Sequence, residues 1–275
     1  MIDISDNEFK KISKIVYDQF GINLTEKKKA LVRGRLNKLI LSLNFDSFSQ
    51  YFNYVSEDKS GNRLLDMVDK ISTNHSYFFR ESDHFTYLTD IVLRQICKST
   101  ESQPNKKIRI WCAGCANGQE AYTLAIVLKE HFKENFNIWK PAILATDISI
   151  SALGNAVKGY YNEEGLSGIP ADLQKKYFNM NEDGSGTAKK VLKDIILFKR
   201  LNFMNASFPF KNKFNVVFCR NVMIYFDNET KENLVNRFHQ YMLDESWLFI
   251  GHSESLGRGN TNFKYVKPST YMRDH

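Results

Sequence analysis

The 275-residue sequence predicts an α/β fold, a mostly parallel sheet covered by helices, with a small antiparallel insertion and an all-α helical domain in front of it. Three observations carry this expectation. From residue 107 onward, apolar strand-like runs alternate with helical periodicity, as a sheet covered on both faces requires. Before residue 73 the apolar residues recur at helical spacing instead. Three of the strand-like runs also stop abruptly on polar residues. Lys107 to Cys112 runs into Ala113-Gly114-Cys115-Ala116-Asn117-Gly118-Gln119-Glu120, Ala142 to Thr146 ends on Asp147, and Asn215 to Cys219 ends on Arg220-Asn221. Open α/β sheets hold their ligands at the carboxyl ends of parallel strands, so these three edges are expected to converge on one crevice.

The elements follow in order. Ser5-x-x-Glu8 is a capping box, and Phe9, Ile12, Val16 and Phe20 follow at helical spacing, giving a first helix that ends near Gly21. A second starts after Thr25 with Val32, Leu36, Leu39, Ile40 and Leu43 on one face. Phe45, Phe48, Phe52 and Val55, then Leu64, Leu65, Val68 and Ile71, predict two more, separated by the turn-prone stretch Glu57 to Asn62. The helical domain is thus expected over residues 1–72 and the α/β domain over 73–275. In the latter, the strand Ile108 to Cys112 precedes a helix from Gln119 to Phe132, and the strand Ala142 to Thr146 precedes one from Ser149 to Val157. Between Tyr160 and Asn202 the rhythm breaks. A short helix from Pro170 to Phe178, a hairpin around Asp183-Gly184-Ser185-Gly186 and a strand near Ile195 to Phe198 read as a small antiparallel insertion over 160–202. Then come the strand Asn215 to Cys219, a helix from Asn228 to Met242, the strand Trp247 to Gly251 and a final strand pair near Phe263 to Met272.

Composition narrows the class. With 43% hydrophobic and 13% aromatic residues the chain can bury a substantial core. Its start, Ile2-Asp3-Ile4-Ser5-Asp6, has no basic segment followed by an apolar one, and no apolar run approaches the roughly 20 residues a membrane helix needs, so a cytoplasmic protein is expected. Four cysteines, Cys97, Cys112, Cys115 and Cys219, suit a reducing compartment. Cys112-x-x-Cys115 lacks a second Cys or His pair to complete four ligands, so no metal is expected. The charge is unevenly placed. Between Phe9 and Leu41 nine Lys or Arg face only Asp18 and Glu26, which accounts for the whole net charge of +7. An acidic partner is expected to meet this region, with Lys28, Arg33, Arg35 and Lys38 as candidate substrate-binding residues.

Gly114 and Gly118 supply a permissive turn with a helix N-terminus just beyond, an arrangement suited to a polar cofactor. The spacing is not G-x-G-x-x-G, and Asp147 lies 33 residues after Gly114 rather than about 20, which argues against a nicotinamide dinucleotide.

Five segments occur in a telling order: Thr73-Asn74-His75-Ser76-Tyr77-Phe78-Phe79-Arg80-Glu81, the Gly114 to Tyr122 loop, Ala145-Thr146-Asp147-Ile148, Cys219-Arg220-Asn221-Val222-Met223-Ile224-Tyr225-Phe226, and Gly251-His252-Ser253-Glu254. Together they resemble the CheR family of chemoreceptor glutamate methyltransferases, which use S-adenosylmethionine and release S-adenosylhomocysteine. The resemblance spans about Asp66 to Tyr271. It implies a Rossmann-like S-adenosylmethionine-dependent methyltransferase domain, with the cytoplasmic domains of membrane chemoreceptors as partners and neither nucleic acid, metal nor membrane insertion involved. Carried over from the family, Asn74, Ser76 and Arg80 contact the cofactor from the segment joining the domains. Gly114 forms the turn, Glu120 and Asp147 take polar groups, Asn202 and Phe203 lie near the adenine, and Arg220 and Asn221 complete the crevice.

A glutamate acceptor is already ionised at neutral pH, its reference pKa being about 4.3, so no general base is needed. The enzyme's task is alignment, worth roughly 7 to 11 kcal/mol. Arg80 is assigned to orienting the incoming carboxylate or the cofactor tail, and Tyr225 to lining the transfer position. Two other readings stay open. The net charge of +7 admits a methyltransferase on nucleic acid, although no two of the five prolines are adjacent as in the Pro-Pro-aromatic motif of DNA amino-methyltransferases. Ala116, Asn117, Gln119 and Ala121 depart from the family pattern, which admits a non-catalytic cofactor-binding adaptor that docks on receptors.

Overall fold

A computed structural model of the chain describes residues 2–102, 106–257 and 262–274. Four helices come first: α1 (Asp6–Phe20), α2 (Lys29–Ser42), α3 (Phe48–Ser56) and α4 (Asn62–Ile71). The capping box at Ser5 and Glu8 is formed, and Phe9, Ile12, Val16 and Phe20 are buried on one face of α1. Gly21 stops the helix at φ +69°, returning its N–H to the Tyr17 carbonyl at 2.8 Å. On α2 the buried residues are Val32, Leu36, Asn37 and Ile40; the helix ends at Ser42, so Leu43 lies beyond the expected face and is exposed. Tyr51 and Val55 of α3 and Met67, Val68 and Ile71 of α4 complete this core.

The larger part is built on a seven-stranded sheet. Its strands are β1 (Arg109–Ala113), β2 (Ala142–Asp147), β6 (Ile196–Arg200), β7 (Phe214–Cys219), β8 (Met242–Ile250), β9 (Phe263–Lys267) and β10 (Thr270–Arg273), in the order β6-β2-β1-β7-β8-β10-β9. From β6 to β8 all neighbours are parallel, and β10 then pairs antiparallel with both β8 and β9. A separate antiparallel sheet holds β3 (Tyr160–Tyr161), β4 (Phe178–Met180) and β5 (Gly186–Ala188), in the order β3-β5-β4. The strand expected near Ile195 to Phe198 is therefore not part of the insertion. It is β6, the outer parallel partner of β2, paired from Ile143 with Ile196 to Asp147 with Arg200. A five-residue strand at a sheet edge carries no internal mark of which sheet it joins. The helical stretch from Asp83 to Ser99, unassigned from sequence, packs Phe85, Leu88, Val92, Leu93 and Ile96 into the core.

Chain order reverses at β1, which lies between β2 on one side and β7 on the other. A ligand crevice opens at such a switch point, beyond the carboxyl ends of the strands. Two aromatic clusters hold these central strands rigid. On one face Phe218 lies stacked between Phe85 and Phe249, with centroids 5.9 and 4.5 Å away. On the other, Trp111 is fully buried among Phe208, Phe210, Phe214 and Phe238 and donates its indole N–H to Thr146 Oγ1 at 2.8 Å. Among the described residues no helix is long and apolar enough to cross a membrane.

Candidate functional site

The polar strand ends do meet, and the helical part roofs them over. One cavity is lined by Gly114, Ala116 and Glu120 after β1, Asp147 at the end of β2, Asn202 and Phe203 after β6, and Arg220 to Phe226 after β7. Asn74, Ser76 and Arg80 line it from the connecting segment, and Phe20, Ile22, Leu24, Lys28 and Leu31 from the helical part. Several hydrogen bonds fasten that roof. The Asn23 N–H donates to the Tyr225 carbonyl (2.8 Å), the Tyr17 hydroxyl to Asp227 (2.6 Å), the Asn202 amide to the Gln19 carbonyl (2.8 Å) and the Ser151 hydroxyl to Asp69 (2.5 Å). Gly21 also touches the second domain, since a Cβ there would stand 2.6 Å from Met204 Sδ.

On the β1–β2 side, backbone geometry shapes the wall. Gly114 has φ +92°, and a Cβ at that position would lie 2.3 Å from Val222 Cγ2, so glycine lets the loops after β1 and β7 touch. The N–H groups of Gly114 and Cys115 both donate to the Thr146 carbonyl, at 2.8 and 2.9 Å. Asp147 accepts the Ala116 N–H on one oxygen (2.7 Å) and the Ser149 N–H on the other (2.9 Å), while Ser149 itself caps the next helix. Burial raises the Asp147 carboxyl above the ordinary range, against the lowering pull of those N–H groups. With no cation beside it among the described residues, this carboxylate retains lone pairs that hydroxyl donors of a ligand would satisfy.

Arg220 and Glu120 of the lining belong to an ion-paired group. The Arg220 side chain, 1% exposed, donates to Glu81 from Nε (3.2 Å) and Nη2 (3.0 Å), to Glu120 from Nη1 (3.0 Å), and to the Arg80 carbonyl. One guanidinium cannot neutralise two carboxylates, and their pKa values separate. Burial works to raise Glu81, but Arg220 and the His252 N–H outweigh it and hold Glu81 below the usual range. Burial raises Glu120 despite Arg220. Arg220 and Glu120 were both expected to contact a cofactor directly. Both line the cavity, and both also have protein partners there, Glu120 carrying the guanidinium on one oxygen and the Cys112 thiol on the other (3.1 Å).

The remaining expected residues divide by what they touch. Arg80 lines the cavity with its guanidinium 5.6 Å from the Tyr77 ring, and among the described residues that side chain makes neither a hydrogen bond nor an ion pair. Tyr225 sits under Lys28, whose Nζ is 5.6 Å from the ring. Asn74 donates to Ser149 Oγ (3.1 Å) and accepts the Asn117 amide on its carbonyl (2.9 Å), holding the connecting segment in place. Phe203 packs edge-on against Trp111 at 6.2 Å. Of the four basic candidates, only Lys28 lines the cavity. Arg33 pairs with Asp3 (2.9 Å), Arg35 donates to the Ile71 carbonyl and to Thr73 Oγ1 (2.9 Å), and Lys38 is exposed.

Two acids had no role assigned from sequence. Glu81 joins the Arg220 group. Glu254 accepts the N–H groups of Gly251 (2.6 Å), Asn221 (2.8 Å) and Ile224 (3.2 Å), pinning the turn that carries Tyr225. Asn221 needs that support because its φ is +59°, a left-handed conformation. Only the position of Glu254 in the Gly251-His252-Ser253-Glu254 segment hinted at this, because its partners are backbone groups, two of them 30 or more residues away in sequence.

Comparison with known proteins agrees with this architecture. Residues 7–72 match the all-alpha domain of CheR methyltransferases, and residues 74–272 match their SAM binding domain. The chain is 45% identical over 273 residues to a chemotaxis protein methyltransferase of Borreliella burgdorferi, covering 99% of this chain and 96% of that protein. It is 34% identical to a probable chemotaxis protein methyltransferase of Rhizobium etli (94% of this chain, 96% of that one), and 31% identical to chemotaxis protein methyltransferase 2 of Vibrio cholerae (100% and 95%). Fold and matches together define an enzyme that transfers methyl groups from S-adenosylmethionine. The chain belongs to the CheR family of chemotaxis methyltransferases.

Two outcomes follow from the geometry. Glu254→Ala leaves the N–H groups of Gly251, Asn221 and Ile224 without their acceptor and is expected to lower unfolding free energy by about 2 to 3 kcal/mol, with Glu254→Gln losing less, both read from urea denaturation. Asp147→Ala is expected to weaken S-adenosylmethionine binding at least about tenfold, measured by calorimetry on the folded variant, since charge-assisted bonds contribute about 1.5 to 3 kcal/mol each. An unchanged affinity would remove Asp147 from the cofactor site.

Proposed function

We propose that the chain esterifies glutamate side chains on the cytoplasmic domains of chemoreceptors, and that it works in the cytoplasm. The observation that carries this reading is Arg80, a guanidinium in the cavity wall that forms no close ion pair among the described residues, although its charge is felt by Glu120. A cation left unpaired in a partly covered cleft is suited to an incoming carboxylate, either the acceptor's or the cofactor's own tail. When bound, S-adenosylmethionine supplies an activated methyl group on a sulfonium sulfur. In this reading Asp147 and the Gly114 turn hold the ribose side, Asn202 and Phe203 flank the base, and Asn74, Ser76 and Asn221 take the remaining polar groups. The Glu81–Arg220–Glu120 group fixes the backbone of Arg80 and the side chain of Asn221, which lies 3.4 Å from Glu81 Oε1, while Arg220 and Glu120 also line the cavity.

Arg80 then orients the acceptor oxygen and the Tyr225 ring borders the transfer position, while the apolar side chains of Phe20, Leu24 and Leu31 exclude water. No side chain has to move a proton, because the acceptor enters as a carboxylate. The decisive experiment incubates the chain with methyl-labelled cofactor and receptor-containing membranes. A labelled receptor band that loses its label in mild base is expected, and label on nucleic acid or on no acceptor would overturn the reading. In single-turnover form the rate is expected to stay nearly flat between about pH 6.5 and 8.5, whereas a steep bell would report an essential acid and base.

Substrate engagement should also be more salt-sensitive than cofactor binding, because the basic excess lies in the helical part. The pair Lys27→Gln and Lys38→Gln, both exposed and outside the cavity, tests this without disturbing Lys28, Arg33 and Arg35, which serve internal contacts. The expected result is a KM for receptor raised severalfold and less dependent on salt, with cofactor affinity unaltered, in line with a Debye length that shrinks from about 10 Å at 0.1 M to about 3 Å at 1 M. An unchanged KM with an unchanged salt response would take the helical part out of substrate recognition.

A further inference from the structure

His84 is completely buried, and among the described residues neither ring nitrogen has a hydrogen-bond partner. Such a group in a native interior calls for an explanation, and an ion is one of the usual ones. Its Nδ1 faces Glu81 Oε2 at 3.6 Å, and its ring packs against that of His252, centroid to centroid 4.9 Å. One ligand atom from each of Glu81, His84 and His252 falls within 4.8 Å of the others. The separation of 3.6 Å is close to the roughly 3.4 Å between neighbouring ligands in a tetrahedral shell with bonds of about 2.1 Å. His252 is half exposed and places Nε2 3.1 Å from Asp83 Oδ1, leaving Nδ1 to ligate. A carboxylate on the far nitrogen of a histidine is the usual outer support of a ligating imidazole.

We propose that Glu81, His84 and His252 bind a divalent transition-metal ion of the zinc class, with Asp83 orienting His252, and that the ion competes with Arg220 for Glu81. Two imidazoles and one carboxylate favour zinc-like ions over magnesium or calcium, which prefer all-oxygen shells. The half-exposed His252 gives the ion a route in from solvent and leaves a fourth position for water. Competition follows from the double use of Glu81, whose Oε2 already accepts from Arg220 Nε and Nη2. An ion on that carboxylate loosens the group that fixes Arg80 and Asn221 in the cavity wall. The metal is thus an antagonist of the cofactor site and takes no part in methyl transfer, and the proposal stands whichever acceptor the enzyme modifies.

The test uses the full-length chain and zinc chloride. Calorimetry is expected to find one tight equivalent, weakened at least tenfold in His252→Ala, whose side chain is half exposed and whose loss leaves the core intact. Cobalt(II) chloride is expected to give the visible absorption of a tetrahedral site, absent in His252→Ala. Saturating zinc is expected to weaken S-adenosylhomocysteine binding at least threefold in the unaltered chain and not in the variant. The site is overturned by the absence of a tight equivalent, or by several weak equivalents that His252→Ala leaves unchanged. The competition is overturned if zinc binds through His252 while affinity for S-adenosylhomocysteine stays constant.

Discussion

The buried guanidinium of Arg220 is the contact on which the rest of the cleft depends. It joins the end of β7 to Glu81 on the connecting segment and to Glu120 at the start of the helix after β1, residues 139 and 100 positions away in sequence. Removing two carboxylates and a guanidinium from water is costly, and such a group is weak evidence for stability. What it achieves here is register. With Arg220 bonded to the Arg80 carbonyl as well, the connecting segment cannot slide along the strand ends without breaking charge-assisted bonds. The side chain of Arg80 is therefore presented to the cavity by a backbone that another arginine holds.

A second constraint is the division of the wall between two separately packed cores. Phe20 and Leu24 belong to the helical core, yet they line the same cavity as Asp147 and Asn221. Short polar contacts from Asn23, Tyr17, Asn202 and Ser151 cross the junction, and Ile22 packs against the cores on both sides of it. Polar contacts of this kind fix an orientation while exchanging readily with water. Arg35, read from sequence as part of a charged surface, belongs to this junction, since it holds the carbonyl of Ile71 and the hydroxyl of Thr73 where the two parts meet.

Much of the cleft was readable because its parts stand next to strand ends. Gly114, Asp147 and Asn221 each follow an apolar run, and a parallel sheet brings such positions together whatever lies between them. The amphipathic face of α1 was equally plain, as its buried residues recur at the helical period, while on α4 Val68 and Ile71 are buried as expected, with Met67 in place of Leu64 and Leu65. What escaped depends on contacts that leave no periodic mark. β6 was assigned to the wrong sheet because five residues do not encode their neighbour. The pairing of Arg220 with Glu81 and Glu120 was also missed, because nothing local to any of the three announces the other two. Glu254 speaks only to backbone N–H groups, so its partners cannot be identified from side-chain chemistry.

The dependence of the Asn221 turn on Glu254 has a consequence for the order in which the enzyme comes into being. Chains emerge from the ribosome N-terminus first, and domains begin to fold as they appear. The helical roof, the glycine turn and Asp147 all precede Asn221 and Glu254 in the chain. The turn bearing Tyr225 stays without its anchor until residue 254 has left the exit tunnel and β8 has docked beside β7. A nascent chain thus holds the glycine turn and Asp147 before the turn bearing Tyr225 has its anchor, and the cavity is walled in stages as the chain lengthens.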